Sequence, residues 1–127
     1  MKRFPFDEYI PIPDKEPQVT VHIRDMLRDQ AEGRLRPEDF TADYWRTAIL
    51  PNRASLQAEM KSLGELVSIT LVEREEIKNL RSYRHRLELA NARVILHLVL
   101  DTQNRVTASS ADALEWSAST KSSKRSP

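Results

Sequence analysis

Histidine and carboxylate side chains are the groups here best suited to proton transfer or metal ligation, and the chain has three histidines, His22, His85 and His97. It has no cysteine, which removes disulfides, thiolate metal ligands and thiol nucleophiles together. His85 and His97 fall within LRSYRHRLELANARVILHLVLD, residues 80–101. If Ala90-Asn91-Ala92 is the tip of a hairpin, these two histidines stand opposite each other on neighbouring strands. Paired imidazoles are metal ligands, but a metal site wants three or four donors. The nearest carboxylates, Glu88 and Asp101, alternate onto uncertain faces. The expectation is therefore no metal, with both rings hydrogen-bonded within or beside a sheet. Asp39 or Asp43 with His85 is the one acid–base pairing to propose. His22 lies between the two faces of a helix and is expected at the surface.

Phe40, Tyr44, Trp45 and Tyr83 join His85 and His97 as candidates to line a pocket between helices and sheet. The same spacings also suit a core. No lysine follows a serine at the Ser-x-x-Lys spacing, and no Gly-x-Ser-x-Gly elbow is present. With only Gly33 and Gly64, no phosphate-cradling loop can form. No residue is assigned a catalytic role, and no cofactor is expected. Arg81, Arg84 and Arg86 form a basic row, with Glu73, Glu75, Glu76 and Glu88 placed to pair with it across strands. The 20 basic and 19 acidic residues leave a net charge of +1, so no overall field favours nucleic acid or an anionic membrane.

The elements that must position these groups follow from periodicity. Residues 1–18 hold Pro5, Pro11, Pro13 and Pro17, each restricting itself and its predecessor. They form an extended lead-in resting its isoleucine and aromatic side chains on the body, or else an interdomain linker. Residues 19–116 are one α+β domain, and 117–127 are a polar tail expected to be disordered. Val19, Ile23, Met26, Leu27 and Gln30–Ala31 share one face of a helix running from Gln18 to Gly33, with Arg24, Asp25, Arg28 and Asp29 opposite. Arg36-Pro37-Glu38-Asp39 reads as a helix start, followed by a short helix carrying Phe40, Tyr44 and Trp45. After Pro51, residues 52–63 form a second short helix with Leu56, Met60 and Leu63 inward.

The period then changes to two. Leu66–Glu73 is a strand with Val67, Ile69 and Leu71 on one face, and Glu73–Asn79 is its turn. Leu80–Ala90 carries Tyr83, His85, Leu87 and Leu89 on one face. Arg93–Asp101 is apolar on both faces apart from His97, and Arg105–Ser110 is a weaker last strand. Ala111–Trp116 prolongs that strand or adds a helical turn. The long N-terminal helix and the short helices pack on one face of a curved four-stranded antiparallel meander. The other face is partly polar. The longest apolar run, Val94–Leu100, is far short of the roughly 20 residues of a membrane span. The N-terminus lacks the apolar core of a signal peptide. A soluble protein is expected, its compartment left open.

The ordered series Ala31-Glu32-Gly33, Phe40-Thr41, Leu63-Gly64, Val72-Glu73-Arg74, Tyr83-Arg84-His85-Arg86 and Leu96–Asp101 resembles a known module. It is similar to the C-terminal accessory domain of bacterial beta-lactamase-related, penicillin-binding-protein-like serine hydrolases, over roughly residues 19–110. The resemblance implies a nuclear-transport-factor-like or cystatin-like fold and a non-catalytic role, because in that family the preceding domain carries the Ser-x-x-Lys chemistry. It implies a protein partner: a catalytic domain of the same or a related chain, or a second copy in a homodimer. This chain departs from the pattern at its last turn, Asp101-Thr102-Gln103-Asn104, where the family has an Asp-Gly type. The alternative, from another class, is a stand-alone domain that binds or converts a small molecule between helix and sheet.

Overall fold

The computed structural model describes the backbone of residues 9–116 and the side chains as far as Ala113. The expected disorder of 117–127 and the start of the lead-in lie outside the described residues. The elements are α1 (Pro17–Glu32), a 3-10 turn at Pro37–Asp39, α2 (Ala42–Tyr44), a π turn at Trp45–Ile49 and a 3-10 turn at Leu50–Asn52. Then follow α3 (Arg53–Leu63), β1 (Leu66–Ile77), β2 (Leu80–Leu89), β3 (Ala92–Leu100) and β4 (Val106–Trp116). The strands pair antiparallel in the order β1-β2-β3-β4, so the expected α+β meander is the observed fold.

α1 begins with Pro17 in its first turn, where a missing N–H costs nothing. It ends at Gly33, whose φ of 73° allows the left-handed cap, with Arg34 N–H donating to Asp29 O at 2.8 Å. Val19, Ile23, Met26 and Leu27 are its buried stripe. α3 packs beside α1, and two side-chain amides lock the pair. Gln30 Nε2 donates to Leu56 O at 2.9 Å and Gln57 Nε2 to Ala31 O at 3.3 Å. Gly64, at φ 89° and ψ −176°, takes a conformation almost reserved for glycine. A Cβ there would lie 2.8 Å from Ala90 Cβ, so the α3–β1 connection can pass over the β2–β3 turn only without a side chain.

Alternation on β2 and β3 builds the core: Tyr83, Leu87, Leu89, Val94, Leu96, Leu98 and Leu100 face α1. Several expectations are corrected. The Phe40-to-Trp45 segment is broken rather than one helix. Phe40 is extended and bridges Val106 on β4, and Thr41 N–H donates to Val106 O at 3.0 Å. A bulge between Leu66 and Ser68 turns Val67 outward, leaving it 70% exposed. Glu73–Asn79 is not a turn. β1 continues to Ile77, because its charged residues pair with β2 and with Glu16, and only Lys78 and Asn79 turn the chain. β4 runs on to Trp116, so Ala111–Trp116 prolongs the strand.

The lead-in meets the body through its backbone. Ile12 N–H donates to Leu71 O at 3.0 Å on the β1 edge, and Arg86 donates to Tyr9 O at 3.1 Å. Ile10 and Ile12, expected to rest on the body, are instead exposed.

Candidate functional site

The two central histidines are on opposite faces of the sheet. The β2–β3 turn is Ala90-Asn91 rather than three residues, since β2 ends at Leu89 and β3 begins at Ala92. One residue fewer in the turn shifts the register by one, which exchanges the faces of the partner strand. His85 therefore pairs with Leu96, and Arg84 pairs with His97. No single ion could reach both rings.

His85 is fully buried on the inner face. Thr20 donates its hydroxyl to Asp14 Oδ2 at 2.6 Å, and His85 Nε2 lies 3.5 Å from the same Thr20 oxygen. That arrangement places the proton of neutral His85 on Nε2 and leaves Nδ1 as a buried acceptor with no hydrogen-bond partner among the described residues. Burial pushes its pKa down to about 4, only partly opposed by the Asp14 carboxylate. The proposed pairings with Asp39 and Asp43 do not form. Asp39 is buried against His22, Nε2 to Oδ1 3.5 Å, and against Arg36 at 3.4 Å. Asp43 pairs with Arg46 at 2.6 Å. His22 is accordingly half-buried rather than fully at the surface, with 31% of its side chain exposed.

Tyr83 stacks on His85 with ring centroids 6.1 Å apart, and its hydroxyl ends in a polar clasp. It donates to Glu16 Oε1 at 3.0 Å and accepts from Arg81 at 3.0 Å. Arg74 donates to the same Glu16 oxygen at 2.6 Å, and Arg81 also donates to Asp101 O at 2.7 Å and to the Asn104 side chain. Burial and the Glu16 hydrogen bond raise the phenol above its ordinary pKa. For Glu16, burial acts upward, but hydrogen bonds from Arg74 and Tyr83 and the nearby guanidinium charges outweigh it and hold the carboxyl low. Such a network ties the start of α1 to β1, β2 and the β3–β4 turn.

Phe40, Tyr44 and Trp45 gather elsewhere, with Phe40 5.6 Å from Trp45 and 6.4 Å from Tyr44 by ring centroids. They flank β4, where Tyr44 Oη and Ser109 Oγ lie 2.7 Å apart. Behind them is a helix–sheet cleft in two parts. An inner hollow of about 70 Å³ includes Phe40, Ile23 and Leu98, and an outer part of about 270 Å³ includes Tyr44, Met60, Leu87 and Val94. Tyr83 and His85 do not line it. The six candidate residues are thus divided among three places.

His97 belongs to the outer face. Its Nε2 is 2.7 Å from Ser82 Oγ, and Arg84 donates to Glu73 at 2.7 Å beside it. Burial and Arg84 hold His97 below its ordinary pKa, with Glu73 opposing. An open hollow of about 320 Å³ runs between Glu75, Leu80, His97 and Val99. The Ser82–His97 contact has the composition of a nucleophile and base, yet it lies on the middle strands. There β2 and β3 pair without a register shift, so their backbone N–H groups are engaged mainly in the β ladder. Arg84, of the expected basic row, does pair across strands with Glu73. Arg81 instead sits at the end of the inner face.

Among the described residues, no three His, Asp or Glu side chains converge as a metal site, and no helix is long and apolar enough to cross a membrane. Sequence reasoning missed the Glu16 clasp and the His22–Asp39 pair, both formed between segments that no local pattern links. Comparison with known families, curated proteins and solved structures returns no match.

Proposed function

We propose that this chain is a non-catalytic interaction domain, like the accessory module of the serine hydrolases it resembles. Its outer sheet face is the docking surface, toward a catalytic domain or a second copy. The observation that supports this most is the fastening of the lead-in. Arg86, on the outer face, holds Tyr9 O, and Leu71 on the edge strand holds Ile12 N–H. The chain is thereby anchored as it arrives beside a face that, among the described residues, no helix covers. The proton-transfer groups support the same reading, because His85 is sealed in the core and Tyr83 is bound in the clasp.

Sedimentation velocity and a hydrolase assay test this. The expected result is no turnover of a chromogenic cephalosporin or a p-nitrophenyl ester. Self-association that Val99→Glu abolishes would establish the second-copy form, and a monomer at every concentration would remove that form. Turnover lost on Ser82→Ala would overturn the non-catalytic reading.

The helix–sheet cleft favours one second reading, a small apolar ligand held beside the Tyr44–Ser109 pair. A Leu96→Trp variant would fill that cleft. If the fold survives and no small apolar compound loses affinity, this reading fails.

A further inference from the structure

A second groove lies where α1 and α3 meet the start of β1, away from the sheet's outer face; it shares Leu27 and Met60 with the Tyr44–Ser109 cleft, but its other lining residues are distinct. It has a volume of about 380 Å³, within the range of small-molecule sites. Its floor is apolar: Leu27 and Met60 are buried there, with Ala31 and Leu66 half-buried beside them. Arg24 and Arg28 stand on its rim, one helical turn apart on the exposed side of α1. Glu65 lines the groove as well.

Arg24 makes no hydrogen bond or ion pair among the described residues, and the one ion pair of Arg28 is with Asp25 at 3.4 Å, both side chains at least half exposed. Exposed pairs of that kind contribute little and exchange readily. The rim therefore offers two available guanidinium forks, whose planar donors match a carboxylate. The single carboxylate of Glu65 disfavours a second negative group on the ligand. An apolar floor would leave a small hydrated anion such as phosphate unsatisfied on one side. We propose that this groove binds an amphiphilic monocarboxylate, its head on Arg24 and Arg28 and its aliphatic or aromatic body on Leu27, Ala31, Met60 and Leu66.

The test is an amide NMR titration of the intact chain with sodium decanoate, with decan-1-ol and inorganic phosphate as comparison probes. Decanoate should give saturable shifts at Ala31 and Gly64–Leu66. Decanol should bind about tenfold more weakly, the factor expected for losing a charge-assisted contact. Arg24→Glu with Arg28→Glu, both exposed and without structural partners in the core, should lose a similar factor for decanoate while leaving decanol unchanged. Ala31→Phe should block both probes. Equal affinity for decanoate and decanol would overturn the proposal, as would saturable phosphate binding at the same amides. Shifts confined to Tyr44 and Ser109 would do so too, since they would place the probe in the helix–sheet cleft.

Discussion

The inner and outer faces of the sheet carry one histidine each, and the two are treated oppositely. His85 is fully buried among Tyr83, Leu71 and Leu96, with one ring nitrogen left without a partner. His97 is half-exposed among Ser82, Arg84 and Glu73 and makes a short hydrogen bond. The buried ring is the less satisfied one. A polar atom without a partner in a core costs stability, so the inner face tolerates His85 only in its neutral state. The outer face has water and charge to satisfy a ring in either state. Sheet position, more than residue type, decides which histidine is sensitive.

The largest test of this contrast compares adjacent residues on β3. Leu100 is fully buried on the inner face and Val99 lies half-buried on the outer one. Leu100→Ala should lower unfolding free energy by about 3 kcal/mol through lost burial and the cavity left behind. Val99→Ala should stay within about 1 kcal/mol. Urea denaturation of both variants measures the difference, and equal losses would mean that Val99 is packed as tightly on its face as Leu100 is on the inner one.

The next effect depends on pH. Burial holds the folded-state pKa of His85 down to about 4, below the ordinary histidine value of 6.5. The unfolded chain therefore binds the proton more readily. The stability contributed by neutral, buried His85 is fully present above pH 6.5 and is lost as pH falls toward 4, with a slope of at most about 1.4 kcal/mol per pH unit. His97 is shifted the same way, but its exposure reduces its share. His85→Leu, which keeps an inner-face side chain of similar size, should flatten the stability profile between pH 6.5 and 4.5 more than His97→Ala does. The reverse ranking would break the comparison. Glu16 and Asp101 are held below their ordinary values. Their contributions are lost only in more acid solution, as carboxylates protonate.

Glu16 tests the inner face from its edge. Glu16→Gln removes the anion that Tyr83 and Arg74 share, and should cost about 1 kcal/mol, reduced from the value of a buried charged hydrogen bond by partial exposure. It should also lower the Tyr83 phenol pKa, because the Glu16 hydrogen bond helps to hold it up. An ultraviolet titration of the tyrosines reads that shift independently of stability. An unchanged phenol would mean that burial alone sets its value.

Much of the inner face is legible in the chain, because alternation at Tyr83, His85, Leu87 and Leu89 needs only the period of a strand. The same is true of α1, where Val19, Ile23, Met26 and Leu27 recur at helical spacing. What fails is register. Whether Ala92 belongs to the turn or to β3 moves His97 through the sheet, and single-residue turn lengths are not written in hydrophobic periodicity. The bulge that turns Val67 outward is invisible for the same reason. Charge misleads at Glu73–Glu76, a polar run that reads as a turn. There the strand is held by pairs formed across space, Arg84 with Glu73 and Arg74 with Glu16. The candidate pocket fails in a different way. Residue type alone groups its aromatics, but Phe40 is tied to β4 and Tyr83 to the start of α1.

The smallest expected effect concerns the Ser82–His97 contact. At 2.7 Å it is shorter than the Thr20–His85 contact at 3.5 Å, and by distance alone it would rank above it. Its surroundings argue for a small net contribution. Water can satisfy both Ser82 and His97 once the pair is broken, so losing it leaves no stranded group. The exchange of a protein hydrogen bond for water should therefore leave Ser82→Ala, His97→Ala and the double variant all within about 1 kcal/mol of the parent, with a coupling energy below about 0.5 kcal/mol. Thr20→Val should cost more despite the longer contact, because His85 Nε2 would then join Nδ1 as a second buried ring nitrogen without a partner. A double-mutant cycle at pH 7.5, where both rings are neutral, measures these terms. A Ser82–His97 coupling larger than the Thr20→Val loss would reverse the ordering of the two faces.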